Sequence, residues 1–236
     1  IVITGEGSSE RDCYQSATIT WRDNETYVST VTFDGEVFSG NKISCNEEGV
    51  HTVVVRDVAG NEATKRFLID TTLPVIEGVK DFGYYKDSVV ITAKDLGSGV
   101  KLVLLDGENV TNSAAITCYE AGSHTVYVED YAGNSIEYTF TIDTQGPRIK
   151  DLVSGYIYNK DLPIKFVSGC GIKEAKVKFN GYDKSSDTYY LEDNSILTKE
   201  GSYTITLKDA LNNAYTYSVQ IDKTAPVVTG VLDGSY

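Results

Sequence analysis

Apolar residues alternate with polar ones along most of this 236-residue chain. A period of two is the mark of a strand with one face buried. The alternation is sharpest in three related stretches: HTVVVRDVAGNEATKRFLID over 51–70, HTVYVEDYAGNSIEYTFTID over 124–143 and YTITLKDALNNAYTYSVQID over 203–222. Each predicts a β-hairpin. Before the turn the inward set is Val53 and Val55, Val126 and Val128, then Ile205 and Leu207; after it, Phe67 and Ile69, Phe140 and Ile142, then Val219 and Ile221. Asp57, Asp130 and Asp209 suit the first position of a type I turn, whose carboxylate accepts backbone N–H groups two or three residues on. Gly60 and Gly133 supply the left-handed conformation that completes a bulged loop, and Asn212 replaces them in the third copy as the next most tolerant residue.

Two earlier strands repeat in the same way. One places Ala17, Ile19 and Trp21 against Val89, Ile91 and Ala93 and against Leu162, Ile164 and Phe166. The other carries Val31 and Phe33, Val103 and Leu105, Val177 and Phe179, and ends in Asp34-Gly35, Asp106-Gly107 or Asn180-Gly181. Those dipeptides predict two-residue hairpin turns. No window sustains a 3.6-residue period, so essentially no helix is expected. About seven short antiparallel strands per unit, with turn signals every 8 to 12 residues, is the pattern of a two-sheet sandwich.

Asp57 and Asp130 stand 73 residues apart and Asp130 and Asp209 79, and Pro74, Pro147 and Pro226 keep the same separations. The units therefore run over 1–72, 73–144 and 145–224. Residues 225–236, with VVTGVLDGSY like the earlier VIEGVKDFGYY, open the first strand of a further, truncated repeat. A chain that begins at Ile1 and stops inside a unit reads as a piece of a longer polypeptide. Units this small bury little surface and are marginal alone, so contacts at the short Pro-containing linkers are expected to hold a semi-rigid, elongated rod.

These residues resemble tandem bacterial immunoglobulin-like domains of secreted and cell-surface proteins. The resemblance rests on V-x-D-x-A-G-N followed by a strand ending in IDTTLP, IDTQGP or IDKTAP, and on the Asp95-Leu-Gly-Ser-Gly-Val100 stretch that leads into LVLLDG. It covers all three units, although the first has RDNETY where the second has the Gly-Ser-Gly stretch. It implies an extracellular setting at the bacterial surface and a non-catalytic stalk or adhesion segment that spaces or presents other domains. The alternative within the same setting is an accessory carbohydrate-binding region of a secreted glycan-degrading enzyme. Neighbouring domains of the same polypeptide, and a host protein or glycan, are the partners it implies.

Composition narrows these readings. Charged residues make up 23% and hydrophobic ones 41%, the balance of a folded globular chain. A net charge of −13 argues against nucleic acid, which is bound through clustered Lys and Arg. No apolar run approaches the roughly 20 residues of a membrane helix, so no membrane insertion is expected within these residues. Four scattered cysteines, Cys13, Cys45, Cys118 and Cys170, form neither a disulfide framework nor a short-spaced zinc cluster. Cys45 and Cys118 each precede an aligned Gly by four residues, where the third copy has Leu197, so the slot reads as apolar and the thiols as small hydrophobes. A Cys13–Cys45 bridge is the other reading.

Catalysis finds little to stand on. The only histidines, His51 and His124, share a repeat slot that Tyr203 fills in the third copy. That slot resembles the tyrosine corner of immunoglobulin folds, in which an aromatic tethers its strand to the preceding loop by one hydrogen bond. No cofactor is expected, and calcium is the one chemical exception considered. Asp70, Asp143 and Asp222 fall at the unit junctions, where carboxylates and backbone carbonyls can assemble an oxygen site; the competing reading has each accept backbone bonds at a strand end. An unfolding temperature that is the same in millimolar calcium and in chelator would contradict a calcium site.

Surface differences between copies are the remaining guide to binding, since inward positions serve the scaffold. Leu102 and Leu104 with Tyr127 predict a small apolar patch on the second unit. Tyr182, Tyr189 and Tyr190, in the inserted stretch of the third, are amphipathic rings that could stack on sugars. Charge differs too: residues 1–72 hold 6 basic and 12 acidic side chains, 73–144 hold 4 and 11, and 145–236 hold 11 of each.

Overall fold

The computed structural model describes residues 1–6, 10–25 and 27–230. Among them the regular structure is β-strand, apart from one 3-10 turn at Glu10–Asp12. The strands build immunoglobulin-like sandwiches, each combining a five-stranded sheet with one or two smaller ones. The chain divides into two compact units, Ile1–Ile142 and Asp143–Tyr236. The first unit contains two hydrophobic cores and the second contains one.

One topology is used three times. In the first copy the large sheet runs Cys13–Tyr14, Glu62–Ile69, Gly49–Asp57, Val28–Phe33, Glu36–Val37. In the second it runs Gly83–Tyr85, Ser135–Ile142, Gly122–Asp130, Val100–Leu105, Glu108–Asn109, and in the third Ile157–Tyr158, Ala214–Ile221, Gly201–Asp209, Ile172–Gly181, Ser186–Tyr190. The expectation of purely antiparallel pairing is corrected at one edge of each sheet, where the first strand lies parallel to the last. In the second copy the cause is visible: the chain leaves Val75–Glu77 in the small sheet and crosses to Gly83–Tyr85 in the large one, so no hairpin sets the direction. Two-residue edge strands also raise the number per copy above seven, to eight, eight and nine.

The alternating positions fill the cores as predicted. Ile19, Val53 and Ile69 are fully enclosed in the first, Ile91, Val126 and Phe140 in the second, Ile164, Ile205 and Leu207 in the third. The small sheet is three-stranded in the first two copies but splits into two pairs in the third. Pro163 has no N–H to continue the ladder, and Ile164 turns its backbone to Ser195 and Asn194 instead, at 2.8 Å each.

The third copy also departs in register. Asp34-Gly35 and Asp106-Gly107 adopt the positive φ values of a two-residue hairpin turn, but Asn180-Gly181 does not turn. Its strand runs on through Gly181, which pairs with Gly201, and the turn falls later, where Lys184 has φ 72°. Two facing glycines allow the close backbone approach that the extension needs. Cross-strand pairing accordingly places Ala175 opposite Leu207 where Val103 faces Val128, and Lys178 opposite Thr204 where Asp106 meets Thr125. The predicted pairing of Val177 and Phe179 with Val31 and Phe33 is thus two residues out.

All four cysteines are free thiols, three of them buried, which corrects the Cys13–Cys45 alternative. Cys13 lies beside Leu68 in the large sheet while Cys45 pairs with Ala17 in the small one. Cys118 faces Val89, and Leu197 faces Leu162, the apolar slot read from the repeat. Of the residues expected to begin a further repeat, 225–230 carry no strand and expose Val227 and Val228; 231–236 lie outside the described residues.

Candidate functional site

The recurring polar residues form fastenings around each hairpin. The turn carboxylate also accepts from four residues on: Asn61, Asn134 and Asn213 each donate a backbone N–H to Oδ1 of Asp57, Asp130 and Asp209 at 2.8 Å. The same three asparagines donate Nδ2–H to the other carboxylate oxygen at 2.7, 2.7 and 2.9 Å. Gly60, Gly133 and Asn212 take positive φ between the two residues. The turn is then pinned from the side, since the residue after each Asp donates to the carbonyl of Tyr27, Gly99 or Gly171. Sequence reasoning gave roles to the Asp and the Gly and quoted the Asn in the motif without giving it one; its invariance across the three copies was the available signal.

In the first unit this clasp reaches across two copies. Asp70 is completely buried. Its Oδ1 accepts the N–H of Thr72 at 3.1 Å and its Oδ2 that of Ser98 at 2.6 Å, and its carbonyl accepts Nδ2–H of Asn134 at 2.9 Å. Gly97 is required beside it, because a Cβ there would collide with the Asp70 carboxylate. Asp70, Asp95 and Asp130 together offer one oxygen each, all within 4.8 Å of one another. Burial pushes the Asp130 carboxyl above its ordinary range, and the neighbouring Asp70 charge adds to it against the pull of the Asn134 bonds. Asp95 Oδ2 accepts the N–H of Gly99 at 2.6 Å, while its Oδ1 is buried without a hydrogen-bond partner.

Of the three junction carboxylates predicted from sequence, only Asp70 belongs to this group. Asp143 is buried in the second unit, with Oδ1 accepting the Gln145 N–H at 3.0 Å and Oδ2 unpartnered against Gly169. The position that follows the adjoining strand is Ser168 there, where the first unit has Asp95. Asp222 is exposed and accepts the Thr224 N–H at 3.1 Å. An oxygen-only set of three carboxylates suits a hard cation such as calcium, which binds oxygens at 2.3–2.6 Å, and the leftover Asp95 Oδ1 is a fitting ligand for one.

His51 and His124 hold the tether predicted for them and a second bond that was not predicted. Nε2 meets the Glu47 carbonyl at 2.7 Å and the Glu120 carbonyl at 2.8 Å, and Tyr203 donates its hydroxyl to the Lys199 carbonyl at 2.6 Å. Each histidine also places Nδ1 2.7 Å from a carboxylate, of Asp34 or Asp106. With Cys45 or Cys118 six residues upstream, the residue types are those of a Cys-His-Asp catalytic set. The geometry spends them otherwise: Nε2, which would serve as the base, is taken by a backbone carbonyl, and burial raises both thiols above their usual range.

The predicted binding residues fall into separate places. Leu104 pairs with Tyr127 and Leu102 with Glu129 across one sheet face of the second copy, all partly buried, and the Tyr127 hydroxyl donates to Glu129 at 3.1 Å. Tyr189 and Tyr190 point to opposite faces of their strand. Tyr189 packs against the third core, whereas Tyr190 is 66% exposed on a cleft of about 670 Å³ with Phe166, Glu174, Glu192 and Asp193. Tyr182 borders a different hollow, beside Phe179 and Lys199.

No protein-family model matches the chain, and no curated protein does. Among solved structures it is similar to SGBP-B of a Bacteroides ovatus mixed-linkage glucan utilization locus, at 16% identity over 92% of this chain and 67% of that one, with a TM-score of 0.20. Fibronectin(III)-like modules of Clostridium thermocellum CbhA match at 17% identity over 63% of this chain and 92% of theirs, TM-score 0.28. A tetra-tandem repeat from the extending region of a large adhesion protein matches at 16% identity over 88% and 70%, TM-score 0.32. At TM-scores this low none of the three bears on what this chain does, and its function has to be read from its own residues.

Proposed function

We propose that the chain is a non-catalytic spacing or adhesion segment from the extracellular part of a bacterial surface or secreted protein. The observation that carries this reading is how the repeated polar residues are used. Asp57, Asp130 and Asp209 are bound to their asparagines, and His51, His124 and Tyr203 to loop carbonyls. What the copies share is spent on holding sandwiches and turns in shape. The resemblance of the V-x-D-x-A-G-N and I-D-T-x-x-P motifs to tandem surface domains supports the extracellular setting.

A second reading rests on Tyr190, an exposed ring at an open cleft edged by Glu174, Glu192 and Asp193. Aromatic faces flanked by carboxylates are suited to sugars, and a carbohydrate-binding role would sit here. A glycan array with the whole chain separates the two. The spacing role predicts no glycan signal; a signal that Tyr190→Ala abolishes while the fold is kept would overturn it in favour of the carbohydrate role. Tyr189→Ala is unsuitable for this purpose, because that ring belongs to the core.

A further inference from the structure

The chain's only two histidines sit in matching surroundings. His51 is 5% exposed and His124 7%. Nδ1 of each lies 2.7 Å from a carboxylate oxygen and Nε2 lies 2.7 or 2.8 Å from a peptide carbonyl. Both partners are acceptors and neither can donate. A neutral imidazole has one N–H and one lone pair, so it would leave one nitrogen facing an oxygen lone pair in a buried place. Only the doubly protonated ring satisfies both contacts.

We propose that His51 and His124 are imidazolium cations in the folded protein at neutral pH. Each forms a buried lock that mild acid preserves and mild alkali releases, and the third copy has no such lock.

The carboxylates are built for the task. Asp34 and Asp106 adopt φ of 52° and 51° at the first central position of their two-residue turns, which aims them back at the neighbouring strand. Their second oxygens accept the N–H of Thr52 at 2.7 Å and of Thr125 at 2.8 Å. Around His51 the titratable groups are Asp34 from the turn, Glu47 from the loop and the Cys45 thiol of the small sheet. Phe33 and Phe67 cover the ring, with centroids 5.4 and 5.5 Å away. Around His124 they are Asp106, Glu108, Glu120, the Cys118 thiol and the Tyr119 phenol, with Phe140 at 5.4 Å. Every charged group named is an acid.

The third copy supplies an internal comparison. Its strand extension puts Lys178 at the register position of Asp34 and Asp106, and Tyr203 replaces the histidine. The tyrosine keeps the carbonyl bond. Cation and anion have been lost together while the neutral half of the lock remains.

Burial by itself would favour the neutral rings. The carboxylate hydrogen bond, the carbonyl and the nearby acidic charges outweigh it, so both histidines are raised above their ordinary value. A histidine raised in the folded state contributes stability that is complete below its unfolded pKa, about 6.5, and is lost as pH climbs through the folded value.

The test is a long-range proton–nitrogen correlation spectrum of the uniformly labelled whole chain, titrated from pH 5 to 9. Both rings should give the imidazolium pattern at pH 7, with midpoints above that of free histidine, and Asp34→Asn or Asp106→Asn should lower the midpoint of its own partner at least tenfold in proton affinity. A ring showing one protonated and one bare nitrogen at pH 7 overturns the proposal for that copy. So does a midpoint that its carboxamide variant leaves unmoved. The wild-type spectrum decides the first point even where a variant does not fold.

Discussion

Phe140→Ala destabilises the second sandwich by about 3–5 kcal/mol, the range for deleting an enclosed phenyl ring and leaving its cavity. Phe140 is 1% exposed. It touches Tyr85 edge-on, with centroids 6.1 Å apart, and lies against the His124 ring at 5.4 Å. The loss therefore includes aromatic contacts beyond the buried area and part of the cover over the His124 lock. Domains have a total stability of only about 5–15 kcal/mol, so this change brings a small sandwich close to unfolding. Denaturant unfolding of the whole chain measures it. Leu96→Ala, at a fully exposed position, is the control and should stay within about 0.5 kcal/mol; a similar small effect from Phe140→Ala would contradict the assigned core.

Asn134→Ala should cost about 2–4 kcal/mol, because buried acceptors of a charged group lose their donor. Its Nδ2 serves both Asp130 Oδ2 at 2.7 Å and the Asp70 carbonyl at 2.9 Å, so one substitution loosens the hairpin turn and the bond that joins it to the end of the first copy. Asn61→Ala removes the equivalent side chain from an exposed clasp and should cost about 1 kcal/mol or less. The ratio between the two is the informative quantity. Equal effects, measured by thermal or denaturant unfolding, would mean that burial at the Asp70 junction adds nothing.

The sandwich was legible from side-chain alternation because that pattern is imposed by the sheet itself: the inward positions of all three hairpins are buried. The turn was legible through Asp57, Asp130 and Asp209 with their glycines, since positive φ admits few residues. Three features were not. Asn180-Gly181 has the chemistry of a two-residue turn, yet the strand runs on and two more pairs form, the last with Gly181 opposite Gly201, where the other copies have Val37 and Asn109 in place of Gly181. Asp95 joins Asp70 and Asp130 only through the crossing of strands 25 residues or more apart in sequence, so no local spacing announces the group. Asp34 and Asp106 were read as turn residues and also bond the histidines at 2.7 Å; the absence of both His and Asp from the third copy was the signal that went with them. The tyrosines show the limit of composition as a guide, for Tyr189 and Tyr190 are neighbours in sequence and alternate between core and solvent.

Stretching the whole chain between its ends in a single-molecule force measurement tests the spacing role most directly. The account predicts a saw-tooth of unfolding steps, one for each of the three cores, each releasing on the order of 200–250 Å as roughly 70 residues extend at about 3.5 Å apiece. Smooth extension without such steps, or a single step releasing the entire chain, would contradict it.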